Sequence, residues 1–238
     1  MKNYCPFNLK DLDGALQLAI EKGYLFMTCR QWAERDVNLI YSKVIVLRID
    51  VDEAPNKLPL ILNLCYRHQI RGSIFLRMHG PYNPFSFETY RVIKEALSRG
   101  FEVGLHSEVV DASEIWEEES EGCLMRDVGI LSKMFNCQVI GVASHGGRTG
   151  LNNLDFWIER HPGEFGLLYE AYDRGPAFGL FYASRYISDS EWTQWKSYQD
   201  GERLIGDTRT FEEHLYEEPS LIYLLIHPET YFEVHPYE

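Results

Sequence analysis

Five apolar, β-rich runs alternate with stretches of helical period, and each run carries charged or imidazole side chains toward its C-terminal end. They read VIVLRIDVD from Val44, RGSIFLRMHG from Arg71, FEVGLHSE from Phe101, VIGVASHG from Val139 and LIYLLIH from Leu221. Between them, LPLILNLCYRHQ predicts a helix beginning near Pro59, where a missing amide proton costs little. FETYRVIKEALSRG predicts one ending at Gly100, and LMRDVGILSKMF a third. Strands separated by helical segments imply βαβ units and a mainly parallel sheet, because parallel neighbours need a crossover long enough to hold a helix. Upstream, DLDGALQLAIEKGY predicts a helix with Asp13 as N-cap and Gly23 as its stop, and a last helix is expected near Thr210 to Tyr216. From Arg148 to Ser190 the period weakens. AFGLFYAS is the strand candidate there, and the aromatic, Gly- and Asp-rich composition suits loops over a pocket and irregular packing equally well.

A chain of 238 residues that is 45% hydrophobic can bury a substantial core, so one domain over 1–238, with 1–43 as a helical lead-in, is the expected organisation. A formal charge of -13 argues against an electrostatic grip on nucleic acid or anionic membrane, which draws on clustered Lys and Arg. The seven acidic residues between Glu108 and Glu121 read as a solvated helix face. Five cysteines (Cys5, Cys29, Cys65, Cys123, Cys137), odd in number and without a CxxC pair, fit reduced thiols in a cytoplasmic protein. The opening MKNYCPFNLKDLDG lacks the sustained apolar segment of a signal peptide, and no run approaches the eighteen apolar residues of a membrane span.

Strand side chains alternate, so Arg48, Asp50 and Asp52 share one side of their run while Ile45, Leu47, Ile49 and Val51 share the other. The same parity puts Arg77 and His79 with Ser73 and Phe75, His106 with Glu108, His145 with Gly141 and Ala143, and His227 with Tyr223 and Leu225. Polar side chains gathered at the C-terminal ends of parallel strands are where such folds place active sites. A single strand-end histidine is ordinarily a hydrogen-bonded core residue. Several of them beside two closely spaced carboxylates supply a divalent-metal site, with zinc favoured by the mixed nitrogen and oxygen donors and manganese, iron and cobalt left open. One acid can hold the cation while the other takes a proton from water, and a histidine on the far side can protonate a leaving nitrogen or oxygen. That set describes metal-assisted hydrolysis of an acyl group.

Taken in order, LRIDVDE, FLRMHGPYNPF, EVGLHSE, GVASHGG and LIYLLIHPETYF resemble the motifs of the polysaccharide deacetylase-like family, carbohydrate esterase family four, in its divergent branch; they cover Val44 to Phe232. GYLFMTCRQW is similar to the lead-in that precedes the first motif there. The resemblance implies an α/β fold, a distorted, incomplete (β/α) barrel of about seven parallel strands, with a divalent metal in its mouth, usually zinc. It implies Asp50 as catalytic base, Asp52 as metal-binding acid, His106 as a histidine ligand and His227 as general acid. The common pattern has a second histidine four residues after the first, and here that position is Val110. In the divergent branch a histidine before glycine on a later strand takes its place, which makes His145 of SHGG the candidate third ligand. Glu108, from the same strand end as His106, competes with it.

Arg48 and Arg148 are both candidates to orient Asp50 or to stabilise developing oxyanion charge, with Arg48 better placed on its strand. Tyr82, Asn83, Trp157 and Tyr182 are candidates for the pocket wall or for ordinary aromatic packing. The implied substrate is an N-acetylated sugar or glycan precursor. Another small amide or imide is the alternative substrate, and a noncatalytic carbohydrate-binding protein the alternative function.

Overall fold

A computed structural model of the chain describes residues 7–38 and 42–233. Cys5 and the opening residues considered for a leader lie outside this range, as do parts of the expected 1–43 lead-in. Asn8 caps α1 (Leu9–Glu21) by accepting the Asp11 amide at 2.8 Å, so the helix starts earlier than expected and Asp13 sits inside it. β1 (Leu25–Met27) follows, then α2 (Cys29–Ala33), closed at its start by a capping box between Thr28 and Gln31. The lead-in is therefore not only helical: β1 pairs in parallel with Val44–Val46 of β2 (Val44–Val51).

The central elements follow the expected alternation. α3 (Leu58–Arg67) leads to β3 (Ser73–Arg77), α4 (Phe87–Ser98) to β4 (Glu102–Ser107), and α5 (Val109–Trp116) with α6 (Ser120–Phe135) to β5 (Gly141–Ser144) and β6 (Tyr169–Glu170). β7 (Arg185–Ser188), β8 (Lys196–Gln199), β9 (Glu202–Arg203), α7 (Phe211–Leu215) and β10 (Leu221–Ile226) complete the order. AFGLFYAS is not a strand. Its Phe178 and Leu180 are buried as turn residues, with Phe178 stacked on Tyr169 at 4.5 Å, and the strand begins one residue later at Arg185. The acidic run is not uniformly solvated either, since Glu108 and Asp111 are buried.

One mixed sheet joins the strands in the order β6-β5-β4-β3-β2-β10-β7-β8-β9, parallel as far as β7 and antiparallel beyond it. Its two faces bury different sets. Ile45, Leu47, Ile49, Ile74, Val103, Val142 and Leu224 pack against the helices. Val44, Val46, Phe75, Ala143, Tyr169, Tyr186 and Tyr223 form a second cluster with Trp32 and Phe178 on the inner face. These are the two parity classes read from alternation.

Glycines make room for the inner aromatic layer. A Cβ on Gly141 would stand 2.0 Å from Tyr169 Cζ, and one on Gly104 would stand 2.4 Å from Phe75 Cε1. Tyr169 Oη donates to Glu102 Oε1 at 2.6 Å, and Glu102 Oε2 accepts from Ser73 Oγ and the Arg30 amide. Gly141→Ala should displace Tyr169 from this buried network and cost at least the ~1–3 kcal/mol typical of overpacking. Gly122→Ala, in an open helical position with nothing within 4 Å, should be neutral or stabilising by up to ~1 kcal/mol. Urea unfolding of both variants checks the contrast, and equal midpoints would refute the packing role of Gly141.

Candidate metal centre

Register brings the strand-end side chains together. Leu225 pairs with Arg48 across β10 and β2, which places His227 level with Asp50 two residues further on. His106 pairs with Ala143 across β4 and β5, so His145 emerges level with Glu108. All these positions lie at the C-terminal ends of parallel strands, where side chains leave the sheet unopposed by helices.

Asp50 is 1% exposed and is held bidentately by Arg48, with Nε to Oδ1 at 2.8 Å and Nη2 to Oδ2 at 2.6 Å. His106 Nε2 stands 3.2 Å from Asp50 Oδ2 and 3.1 Å from Asp52 Oδ1. His145 Nε2 and His227 Nε2 each lie 3.8 Å from Asp52 Oδ2. Ligand atoms of Asp52, His106 and His145 all fall within 4.8 Å of one another.

Whether these residues suit a cation is answered by their lone pairs. His106 Nδ1 donates to the Ala143 carbonyl at 2.8 Å, which turns Nε2 toward Asp52; burial disfavours the ring's charge, but Asp50 and Asp52 outweigh it and raise its pKa, so a bound cation would take the place of the Nε2 proton. Asp52 Oδ1 is buried and has no hydrogen-bond partner, although His106 Nε2 is close to it. Two imidazoles and a carboxylate converging in this way fit a divalent metal.

Electrostatics separates the remaining groups. Burial would raise the Asp50 carboxyl, but Arg48 and then His106 outweigh it and hold it below the usual carboxylate range. Asp52 is lowered in the same sense, burial being outweighed by its histidine neighbours. Burial, with His106 beside it, pushes His145 down to about 4, which keeps it neutral as a ligand must be. His227 moves the other way. Burial disfavours its charge, yet Asp189, with Oδ1 2.5 Å from Nδ1, and the two site acids push it up to about 9, so it carries a proton at neutral pH.

Sequence reasoning left Asp189, Glu229, Arg77 and Trp192 without roles. Asp189 also accepts the His227 amide at 2.8 Å and the Thr230 hydroxyl at 2.8 Å. Glu229 Oε1 accepts the amides of Asp52 and Glu53, fixing the turn after β2. Trp192, half exposed, lies face to face with the His227 ring at 6.4 Å and 27°. The inward parity of Arg77 and the HPE tripeptide were the signals available; Asp189 lay in the segment whose strand was misplaced.

Other candidates separate clearly. Arg48 is buried against Asp50, whereas Arg148 is exposed and only its backbone amide reaches the carboxylate of Asp111. His79 leaves the inner face because β3 ends at Arg77; it meets Asp127 at 2.8 Å and the Trp116 ring instead. Tyr82 Oη donates to the Val51 carbonyl, and Asn83 accepts the Phe85 amide in a turn. Trp157 and Tyr182 line a cavity of about 310 Å³ together with Tyr172 and Glu170. The Tyr172 ring is 5.0 Å from Arg48 Cζ, so the cavity backs onto the residue that clamps Asp50.

Neither a family model nor a curated protein matches the sequence. Among solved structures, the chain is similar to the Streptococcus pyogenes deacetylase PplD in complex with acetate, with a TM-score of 0.47 and 16% identity over 68% of this chain and 71% of that one.

His145→Ala should weaken zinc retention by more than the ~10–100-fold that changes around a ligand shell cost. Zinc added to metal-free wild type should raise its Tm, by ~2.7 kcal/mol of stabilisation at a hundredfold excess over Kd, and the variant should lose most of that gain. Metal analysis after dialysis and thermal melts measure both, and full occupancy in the variant would remove His145 from the ligand set.

Proposed function

We propose that the chain is a metal-dependent hydrolase that removes the acetyl group of an N-acetylated sugar or glycan precursor, with zinc as its metal and Asp52, His106 and His145 as ligands. The observation that carries this reading is the division of labour around Asp52. Ligand atoms of Asp52, His106 and His145 lie within 4.8 Å of one another, and a buried carboxylate, Asp50, and a protonated histidine, His227, complete the surround. The setting is a distorted, incomplete (β/α) barrel with these groups at its mouth.

A divalent cation held there supplies Lewis acidity for the acyl carbonyl and lowers the pKa of water. Asp50 accepts a proton from the attacking water. Arg48 fixes the carboxylate through Nε and Nη2. Water oxygen bonds to the acyl carbon, the carbon–nitrogen bond breaks, and His227 gives its proton to the departing amine; acetate and a free amino sugar result. Asp189 keeps His227 in the orientation and charge state for that transfer.

A second substrate class has its own support. Trp157, Tyr172 and Tyr182 in the adjoining cavity suit a planar amide or imide as well as the face of a sugar ring. A cytoplasmic setting belongs to the proposal through Cys29, Cys65, Cys123 and Cys137, all free thiols. Among the described residues, no helix is long and apolar enough to cross a membrane.

The zinc-loaded chain should release acetate from N-acetylated hexosamines or their oligomers. Asp50→Asn should lower kcat by ~10²–10⁴ with metal content unchanged, and His227→Asn should fall in the same range. Unchanged turnover in the Asp50 variant would overturn its role as base. A fully metal-loaded chain inert toward sugars, amides and imides alike would overturn the hydrolase reading and leave a binding protein.

A further inference from the structure

Glu108 and His145 leave neighbouring strand ends, and each buries a polar atom without a partner, Oε2 in one and Nδ1 in the other. His145 Nδ1 stands 3.7 Å from Glu108 Oε1. Although Glu108 occupies the N-cap position of α5, its side chain makes no capping bond. It pairs instead with Arg77 Nη2 at 2.5 Å, and Arg77 Nη1 donates to the Asp52 carbonyl at 3.0 Å. One buried guanidinium thus ties the carboxylate beside His145 to the backbone of Asp52.

We propose that Glu108 is not a rival ligand but the positioning residue for His145: its carboxylate accepts Nδ1–H and turns the Nε2 lone pair toward Asp52 and His106, while Arg77 holds the carboxylate in place. This rests on the metal reading above. A ligating histidine ordinarily gives its second ring N–H to a carboxylate or carbonyl, which fixes its tautomer and raises its basicity. His106 faces such an acceptor in the Ala143 carbonyl, whereas Nδ1 of His145 has none within hydrogen-bond distance. Closing the gap to a hydrogen-bond length of ~3.2 Å takes a movement of about 0.5 Å, within reach of a side-chain rotation. His145 lies just past the end of the four-residue β5 and before a glycine pair; its amide donates to the Ser107 carbonyl at 2.9 Å, which fixes the backbone and leaves the ring to be oriented by its side-chain neighbours.

The test is zinc affinity of the full chain, by competition with a chromophoric chelator, together with the visible spectrum of the cobalt-loaded protein. Glu108→Ala should weaken zinc binding ~10–100-fold. Glu108→Gln, which keeps an acceptor oxygen, should recover most of that loss, and the cobalt spectrum of both should stay that of the wild-type ligand set. Because Glu108→Ala strands Arg77 as an unpaired buried charge, the double variant Arg77→Leu with Glu108→Leu provides a neutral background and should show the same weakening. Wild-type affinity in Glu108→Ala or in the double variant would overturn the inference. So would losses in Glu108→Ala and Glu108→Gln as complete as in His145→Ala with an altered cobalt spectrum, which would make Glu108 a ligand. Failure of the wild type to bind zinc would overturn the metal reading and this inference with it, whereas normal wild-type binding with an indifferent Glu108 overturns this inference alone.

Discussion

The ion pair between Arg48 and Asp50 is the contact around which the inner face is organised. Both side chains are 1% exposed, and burying two full charges carries a desolvation cost that only close, well-aligned hydrogen bonds offset. The geometry meets that demand with a two-point contact between a planar fork and a carboxylate. The guanidinium also lies 5.0 Å from the Tyr172 ring and 5.5 Å from the Phe75 ring, so aromatic faces take up charge that water would otherwise solvate. Phe75 in turn needs the space left by Gly104. Pair, aromatic layer and glycines are therefore one device: each is tolerable in the interior because the others are present.

Above this layer, the chain concentrates negative charge and meets it with a small number of cations. Arg77 joins Glu108 to the Asp52 backbone, Glu229 holds the Asp52 and Glu53 amides, and Asp189 grips His227 from two directions. Crowding has a visible electrostatic cost. Burial, with Asp52 nearby, pushes the Glu229 carboxyl up to about 7, while the opposite balance keeps Asp52 ionised. A cation beside Asp52 would relieve that crowding.

Much of this was legible in the chain itself. Period-two alternation in VIVLRIDVD assigned Ile45, Leu47 and Ile49 to the helix-covered face and Val44, Val46, Arg48 and Asp50 to the inner one, and both clusters formed as that parity requires. Where the reading slipped, a local signal competed with a tertiary one. Asp13 looks like an N-cap, but Asn8 lies one turn earlier and takes the position. AFGLFYAS has strand composition, yet its Phe178 and Leu180 are buried from a turn in which Phe178 covers Tyr169. The acidic run has solvated-helix composition, yet Asp111 collects the amides of Arg148 and Thr149, and Glu108 faces Arg77.

What the sequence alone determined was the inventory and its orientation: which side chains carry chemistry, which strand ends they occupy and which face they leave by. Those properties follow from chain order and the two-residue repeat of a strand. Only the tertiary structure decided partnership. His145 stands beside Asp52 and His106 because the register of β5 against β4 sets how far each strand projects past the sheet, whereas Val110 already lies in α5. Asp189 reaches His227 because β7 lies next to β10. Register and strand order are set by long-range packing across the whole sheet, and no local window of residues encodes them.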